Sequence, residues 1–364
     1  MTGDRVVSID ALRGVAALCV FLFHYGYFRF GYLGVELFFL ISGFVFTLSL
    51  RQVAAGEFLV RRFIRLFPTY WLCASMAFVA RAYGPDPATA YEYAVNMTML
   101  GGFVGVPYLD GVYWSLTEEL VFYALFLCGT QFMRAQPLAM ASTMTVGAAA
   151  FGLSGTSAHA SKVTMAVKYL PLFAGGIVGA VIYRSLQQSN RSAKLALVSC
   201  FTYFVTYLAT FAFSYSSHLS SADAQLEPFW LFLVWAVFLF CIFLDAVQSK
   251  ESHYESRWNS FPLMRLLASV GAISYPFYLL HDVFGKQFVR GLLSSGDWLA
   301  KPARDALTFI AIFGLSWVIH IMVEVRLGRA LRRLLLPAGR TPLALGRRSS
   351  NESKPADDRE DARS

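Results

Sequence analysis

Polar positions are sparse along this chain, and the apolar ones arrive in long blocks. Runs near 20 residues, such as "LGVELFFLISGFVFTLSL" and "EPFWLFLVWAVFLFCIFLD", recur from one end to the other. A helix rising 1.5 Å per residue needs about that length to cross a hydrocarbon core of about 30 Å. Spans are expected near 8–27, 33–50, 66–83, 113–133, 138–155, 165–184, 194–214, 227–247, 263–281 and 304–325. The pattern predicts an all-α polytopic membrane protein, with about ten transmembrane helices enclosing a polar cavity. It lacks the ten-residue alternation of a membrane β-barrel. Between the third and fourth spans, "GPDP" breaks helices, and "YEYAVNMTMLGG" is too short to cross. This region reads as an outer loop with an interfacial piece. Residues 1–336 are expected to form one integral membrane domain. The polar, Pro-, Ser- and Arg-rich stretch 337–364 reads as a disordered cytoplasmic tail.

Composition narrows the class. Of 364 residues, 56% are hydrophobic and 15% charged, too little polar surface for a soluble protein of this size. The net charge of +8 invites a nucleic-acid reading. The basic residues, however, flank apolar segments, which is the signature of membrane topology, so no nucleic acid is expected as a partner. With the N-terminus inside, 22 of the 31 Lys and Arg fall in inner segments and 8 in outer ones. That bias predicts N- and C-termini both in the cytoplasm. The first apolar segment lacks a small-residue cleavage site and is expected to stay. Five cysteines sit in apolar runs without CxxC pairing, as buried hydrophobes. No metal-ligand spacing occurs, so no metal is expected.

Against this background the ionisable groups at membrane depth stand out, because each costs at least about 2.5–3.5 kcal/mol to insert. "RGVAALCVFLFH" places Arg13 and His24 eleven residues apart. That is about three turns, so both lie on one helix face, roughly 16 Å apart, with Asp10 able to pair with Arg13. With the N-terminus inside, His24, Glu36, Ser115 with Glu118 and Glu119, and His281 all fall at the outer ends of their helices. Four distant segments thus bring acids or histidines to one level. They form either a polar latch between helix ends or a functional cavity. On the inner side, Arg62 and Arg65 in "VRRFIRLFPTYW" share a face and suit phosphate oxygens. Taken alone, plain positive-inside anchoring is the better account of them. His159, His218, His253 and His320 carry no partnered motif, and "GGIVGA" reads as close helix packing.

Several of these motifs, in this order, resemble the membrane-bound acyltransferase family 3, which O-acylates bacterial surface polysaccharides, lipids and some small glycosides. "IDALRGVAALCVFLFH" is similar to its opening helix. "GYLGVELFFLISGFVF" resembles its second, with Glu36 at an acidic position and Ser42-Gly43-Phe44 as its SGF. "RRFIRLFPTYW" resembles its arginine pair. "YWSLTEELVFY" is similar to its tryptophan–serine–leucine–glutamate signature, whose glutamate falls on Glu119. "ISYPFYLLH" resembles its late motif, ending at His281. The following "HDVFG" departs from the family, which often has proline two residues after the histidine. The resemblance spans about residues 5–330.

It implies transfer of an acyl group, most often acetyl, from cytoplasmic acyl-CoA to a hydroxyl of a carbohydrate or glycolipid. The setting implied is a bacterial inner membrane and its lipid. His24 would be the general base, its ring oriented by Glu36 or Glu119, with His281 nearby. Arg13 would lie along the donor's path, and Arg62 and Arg65 would hold its phosphates. Trp114, Ser115 and Ser42 would contact substrate. The rival readings are a glycolipid flippase, which should show inverted repeats, a structural scaffold, and an enzyme acylating a small glycoside.

Overall fold

The computed structural model describes residues 7–50, 55–131, 136–153, 162–187, 198–209, 227–248, 261–294 and 299–336. The 337–364 tail, the basic positions Arg5, Arg51, Arg134, Arg191, Lys194, Lys250 and Arg257, and His159, His218 and His253 lie outside them. The described residues form helices joined by turns and loops, without strands. Each of the ten expected segments is mostly helical over its described part. Among the described residues, five helices are long and apolar enough to cross a membrane, or six if one bent pair counts as a single span. The protein is an all-α polytopic membrane protein.

Helix α1 (Val7–His24) buries Ile9, Leu12, Ala16 and Val20 along one stripe. It ends where Gly26 adopts φ +78. Gly26 N–H donates to Phe23 O and Tyr27 N–H to Leu22 O. This paired closure with a left-handed glycine fixes the stop one turn after the histidine is presented. The chain reverses into α2 (Leu33–Leu50). Helix α3 (Ala55–Ala82) begins well before the expected residue 66, so Arg61, Arg62 and Arg65 ride on it rather than in a loop.

The loop region holds two short 3-10 turns (Gly101–Val104 and Gly111–Tyr113) and one seven-residue α-helix, α4 (Ala90–Asn96), closed by a Thr89–Glu92 capping box. At about 10 Å it is a third of a membrane crossing. The chain continues through α5 (Trp114–Gln131), α6 (Pro137–Leu153), α7 (Lys162–Gln187), α8 (Val198–Ala209) and α9 (Glu227–Gln248). The ninth expected span is not straight. α10 (Pro262–Ala272) and α11 (Ser274–Leu280) are separated at Ile273, and the pair bends by 58°. α11 runs on as a π-helical stretch, His281–Val289, into α12 (Arg290–Ser294). α13 (Lys301–Ile319) continues likewise through a π stretch, His320–Leu327, into α14 (Gly328–Leu335).

Lipid offers no hydrophobic drive between helices, so close packing of small residues must supply it. α1 packs on α10 and α2 on α7. A Cβ on Gly271 would stand 1.8 Å from Asp10 O, and one on Gly14 2.2 Å from Leu267 O. Across the other pair, Gly176 faces Leu40 O and Gly43 faces Phe173 O, at 2.0 and 2.2 Å from the built Cβ. The "GGIVGA" stretch is a packing surface, as its composition predicts.

Candidate active site

Two cavities lie end to end in the bundle. One is lined by His24, Arg29, Glu36, Trp114, Lys168, Tyr169 and Asp282, among others, with a volume of about 550 Å³. The other is lined by Arg13, Ser42, Arg62, Arg65, Ser115 and Glu119, with a volume of about 70 Å³. We call them the histidine and arginine cavities. Arg13 and His24 open into different ones, so the eleven-residue interval on α1 bridges the two.

At the wall of the histidine cavity His24 meets the buried His281, the two rings predicted to lie near one another. His24 Nδ1 stands 3.2 Å from His281 Nε2, with centroids 4.7 Å apart and planes at 73°. The proton positions follow from the other partners, since a carbonyl oxygen can only accept. His281 Nδ1 lies 2.6 Å from Tyr278 O and therefore carries its hydrogen there. His281 Nε2 is then an acceptor facing His24. His24 Nδ1, also 3.0 Å from Val20 O, carries the hydrogen shared with both. The lone pair of His24 is thereby assigned to Nε2, the nitrogen left for the cavity.

The local chain explains why His281 is held there. Tyr113 donates to Leu279 O at 3.3 Å, and Tyr25 to His281 O at 3.2 Å. Val283 N–H goes to Asp110 Oδ2 at 2.8 Å. Side chains take groups that an α-helix would pair internally, and the helix widens to a π form at that point. Asp110, fully buried, also accepts from Val112 N–H at 3.1 Å, tying the approach to α5 to the histidine segment. Burial first, then neighbouring Asp282, pushes its carboxyl up to about 7, while the two amide bonds pull the other way.

The arginine cavity is built by α1, α2, α3, α5 and α11. Glu119 Oε1 accepts from Ser42 Oγ at 3.0 Å and from the Tyr123 hydroxyl. Arg13 lies within electrostatic range of Asp10, Glu119, Glu324 and Arg65. The Arg62 guanidinium sits against the rings of Phe58, Tyr123 and Phe46, at 5.0, 5.3 and 5.7 Å. It donates to Tyr123 Oη at 3.4 Å.

The expectation of one outer cavity holding His24, Glu36, Glu119 and His281 is therefore corrected. Glu36 shares the cavity of His24, but Glu119 opens to Arg13 and the arginine pair. The expected orientation of His24 by Glu119 gives way to Val20 O and His281. Of the substrate-facing trio, Trp114 lines the histidine cavity, beside Tyr169 with ring centroids 5.1 Å apart. Ser42 and Ser115 line the arginine cavity. Sequence reasoning missed Tyr169, Asp282, Asp110 and Tyr278. Only Tyr278, one turn before His281, carried a signal that spacing could have caught. His320 contacts Glu324 one turn on. No cluster of His, Cys, Asp or Glu among the described residues could hold a metal.

A family model described as an acyltransferase domain matches residues 6–321. The chain belongs to the acyltransferase 3 family. Its members are membrane acyltransferases, which favours the acyl-transfer reading over the flippase and scaffold readings. The chain is 30% identical over 142 residues to a putative membrane-bound transacylase, BcsY, of Komagataeibacter xylinus, covering 34% of this chain and 36% of that one. It is 26% identical over 147 residues to the peptidoglycan O-acetyltransferase OatA of Listeria monocytogenes, covering 33% and 23%. It is 30% identical over 118 residues to the exopolysaccharide production protein ExoZ of Rhizobium meliloti, covering 29% and 36%. These matches span about a quarter to a third of the curated relatives. No solved structure matches the chain.

Proposed function

We propose that this acyltransferase moves a short acyl group, acetyl first, from acyl-CoA to a carbohydrate hydroxyl, with His24 as general base. The observation that carries the reading is the assigned lone pair on His24 Nε2, open to the histidine cavity and set by His281 behind it. The acceptor oxygen attacks the thioester carbonyl while its proton passes to Nε2. The C–S bond breaks, the sulfur takes the electron pair, and His24 returns the proton to it. His281 orients the ring and shares the charge that develops on it.

The donor's phosphates would sit with Arg65 and Arg62, and its pantetheine arm would run past Arg13. Arg65 is the better fork, because Arg62 is already packed among aromatic rings. A sugar would lie in the histidine cavity, where Trp114 and Tyr169 offer an apolar shelf beside Glu36 and Asp282. The printed functions of OatA and ExoZ support a polysaccharide or peptidoglycan acceptor. The excess of basic residues at the arginine end supports placing that end, with both termini, in the cytoplasm of a bacterial inner membrane.

The test is transfer by purified protein from acetyl-CoA. His24→Ala is expected to cut the rate by 10²–10⁴-fold while the protein still inserts and accumulates. Activity within threefold of wild type would remove His24 as the base.

A further inference from the structure

The two cavities touch at a single wall. Val35 and Tyr278 line both. Tyr278 is only 7% exposed, and its hydroxyl donates to Val112 O at 2.9 Å and lies 2.8 Å from Ser115 Oγ. Its ring meets Phe38 edge-on at 6.0 Å. The same residue's carbonyl receives the His281 proton. The ring that divides the cavities therefore belongs to the segment that sets the base.

Resting on the acyl-transfer reading above, we propose that Tyr278 and Val35 determine acyl-chain length, holding the transferred group to about two carbons. The thioester carbonyl must reach His24 from the arginine cavity, while the donor's bulk stays behind with the arginines. Only the acyl end arrives at the wall. The arginine cavity has a volume of only about 70 Å³, against about 550 Å³ for the histidine cavity, so a donor seated in it leaves the acyl chain little more than the gap at the shared wall. The acyl chain, not the acceptor, is the sterically limited partner. Every added methylene must be housed against a ring anchored by Ser115 and Val112 and backed by Phe38. In a close-fitting apolar site one methylene changes selectivity by about 10–200-fold.

The experiment uses full-length protein in detergent, with a chitooligosaccharide as acceptor probe. It measures CoA thiol release from acetyl-, propionyl-, butyryl- and hexanoyl-CoA, and equilibrium binding of the same four. Wild type is expected to favour acetyl over butyryl by at least tenfold in kcat/KM. Tyr278→Leu and Val35→Ala should each narrow that ratio to threefold or less, with acetyl-CoA binding within threefold of wild type. Val35→Ala disturbs no side-chain hydrogen bond, so it decides the matter even where Tyr278→Leu fails to fold. A wild-type enzyme indifferent to chain length, or variants that keep the wild-type ratio, would overturn the proposal. Absence of thiol release from every acyl-CoA would instead overturn the acyl-transfer reading, and the binding series would still show whether the wall discriminates.

Discussion

At the scale of single residues the site is a question of where one proton sits. Carbonyl oxygens at Val20 and Tyr278 leave the two imidazoles one neutral arrangement, and that arrangement frees His24 Nε2. His281 therefore acts through His24, as a positioning residue. Replacing His281 by Ala should lower kcat by about 10–100-fold, a share of the general-base contribution, and leave the KM for acyl-CoA within twofold. His281→Gln should recover part of the loss, because its amide oxygen can accept from His24. An equal loss for Gln and Ala, or a rise in KM alone, would contradict the role. The Arg13–His24 pair was legible in the sequence because eleven residues make three turns. The place of Glu119 was not. Helix direction assigns a side chain to one end of the bundle, and only packing decides which cavity it enters. Glu119 opens inward from α5 toward Ser42 and Arg13, past the level of Ser115.

Among the elements, helix existence was readable from apolar run length, and close packing along α7, though not its partner, from "GGIVGA". The break at Ile273 was harder to read, yet it has a local cause. Pro276 has no N–H for the carbonyl of Ala272 and its ring opposes that carbonyl, so the helix stops and restarts with proline in its first turn. The π stretch after it could not be read at all, since it depends on Asp110, Tyr113 and Tyr25 reaching in from elsewhere. Asp110 gives this junction a pH dependence. Its carboxyl normally titrates near 3.8 and is pushed up to about 7 in the fold. Between those values the folded protein holds a proton that the unfolded chain has released, so stability falls as pH rises across that window and levels off above it. Asn at this position cannot titrate. The melting temperature of wild type should therefore decline relative to Asp110→Asn between pH 5 and 7.5. A gap that does not change with pH would show that the two amides already satisfy the anion.

On the scale of the whole molecule, the chain builds two cavities that share one wall. The tripling of turns on α1 sets their separation, and the Val35–Tyr278 wall sets their isolation. Charge asymmetry along the sequence bears only on which end faces inward. It held no trace of the wall, because Val35 and Tyr278 are 243 positions apart and neither stands out among apolar neighbours. That wall has a consequence beyond selectivity. A protein that admits substrates from both faces of an energised membrane risks becoming a conduit for ions, and a hydrated path past two imidazoles would short-circuit the proton gradient. On the proposed two-sided reading, the anchored ring would serve as electrical insulation between the two cavities. Liposomes carrying wild-type protein should hold an imposed pH difference as well as empty ones do, whereas Tyr278→Ala should discharge it several-fold faster, as followed with an entrapped pH dye. Equal decay in both would mean that other side chains supply the seal.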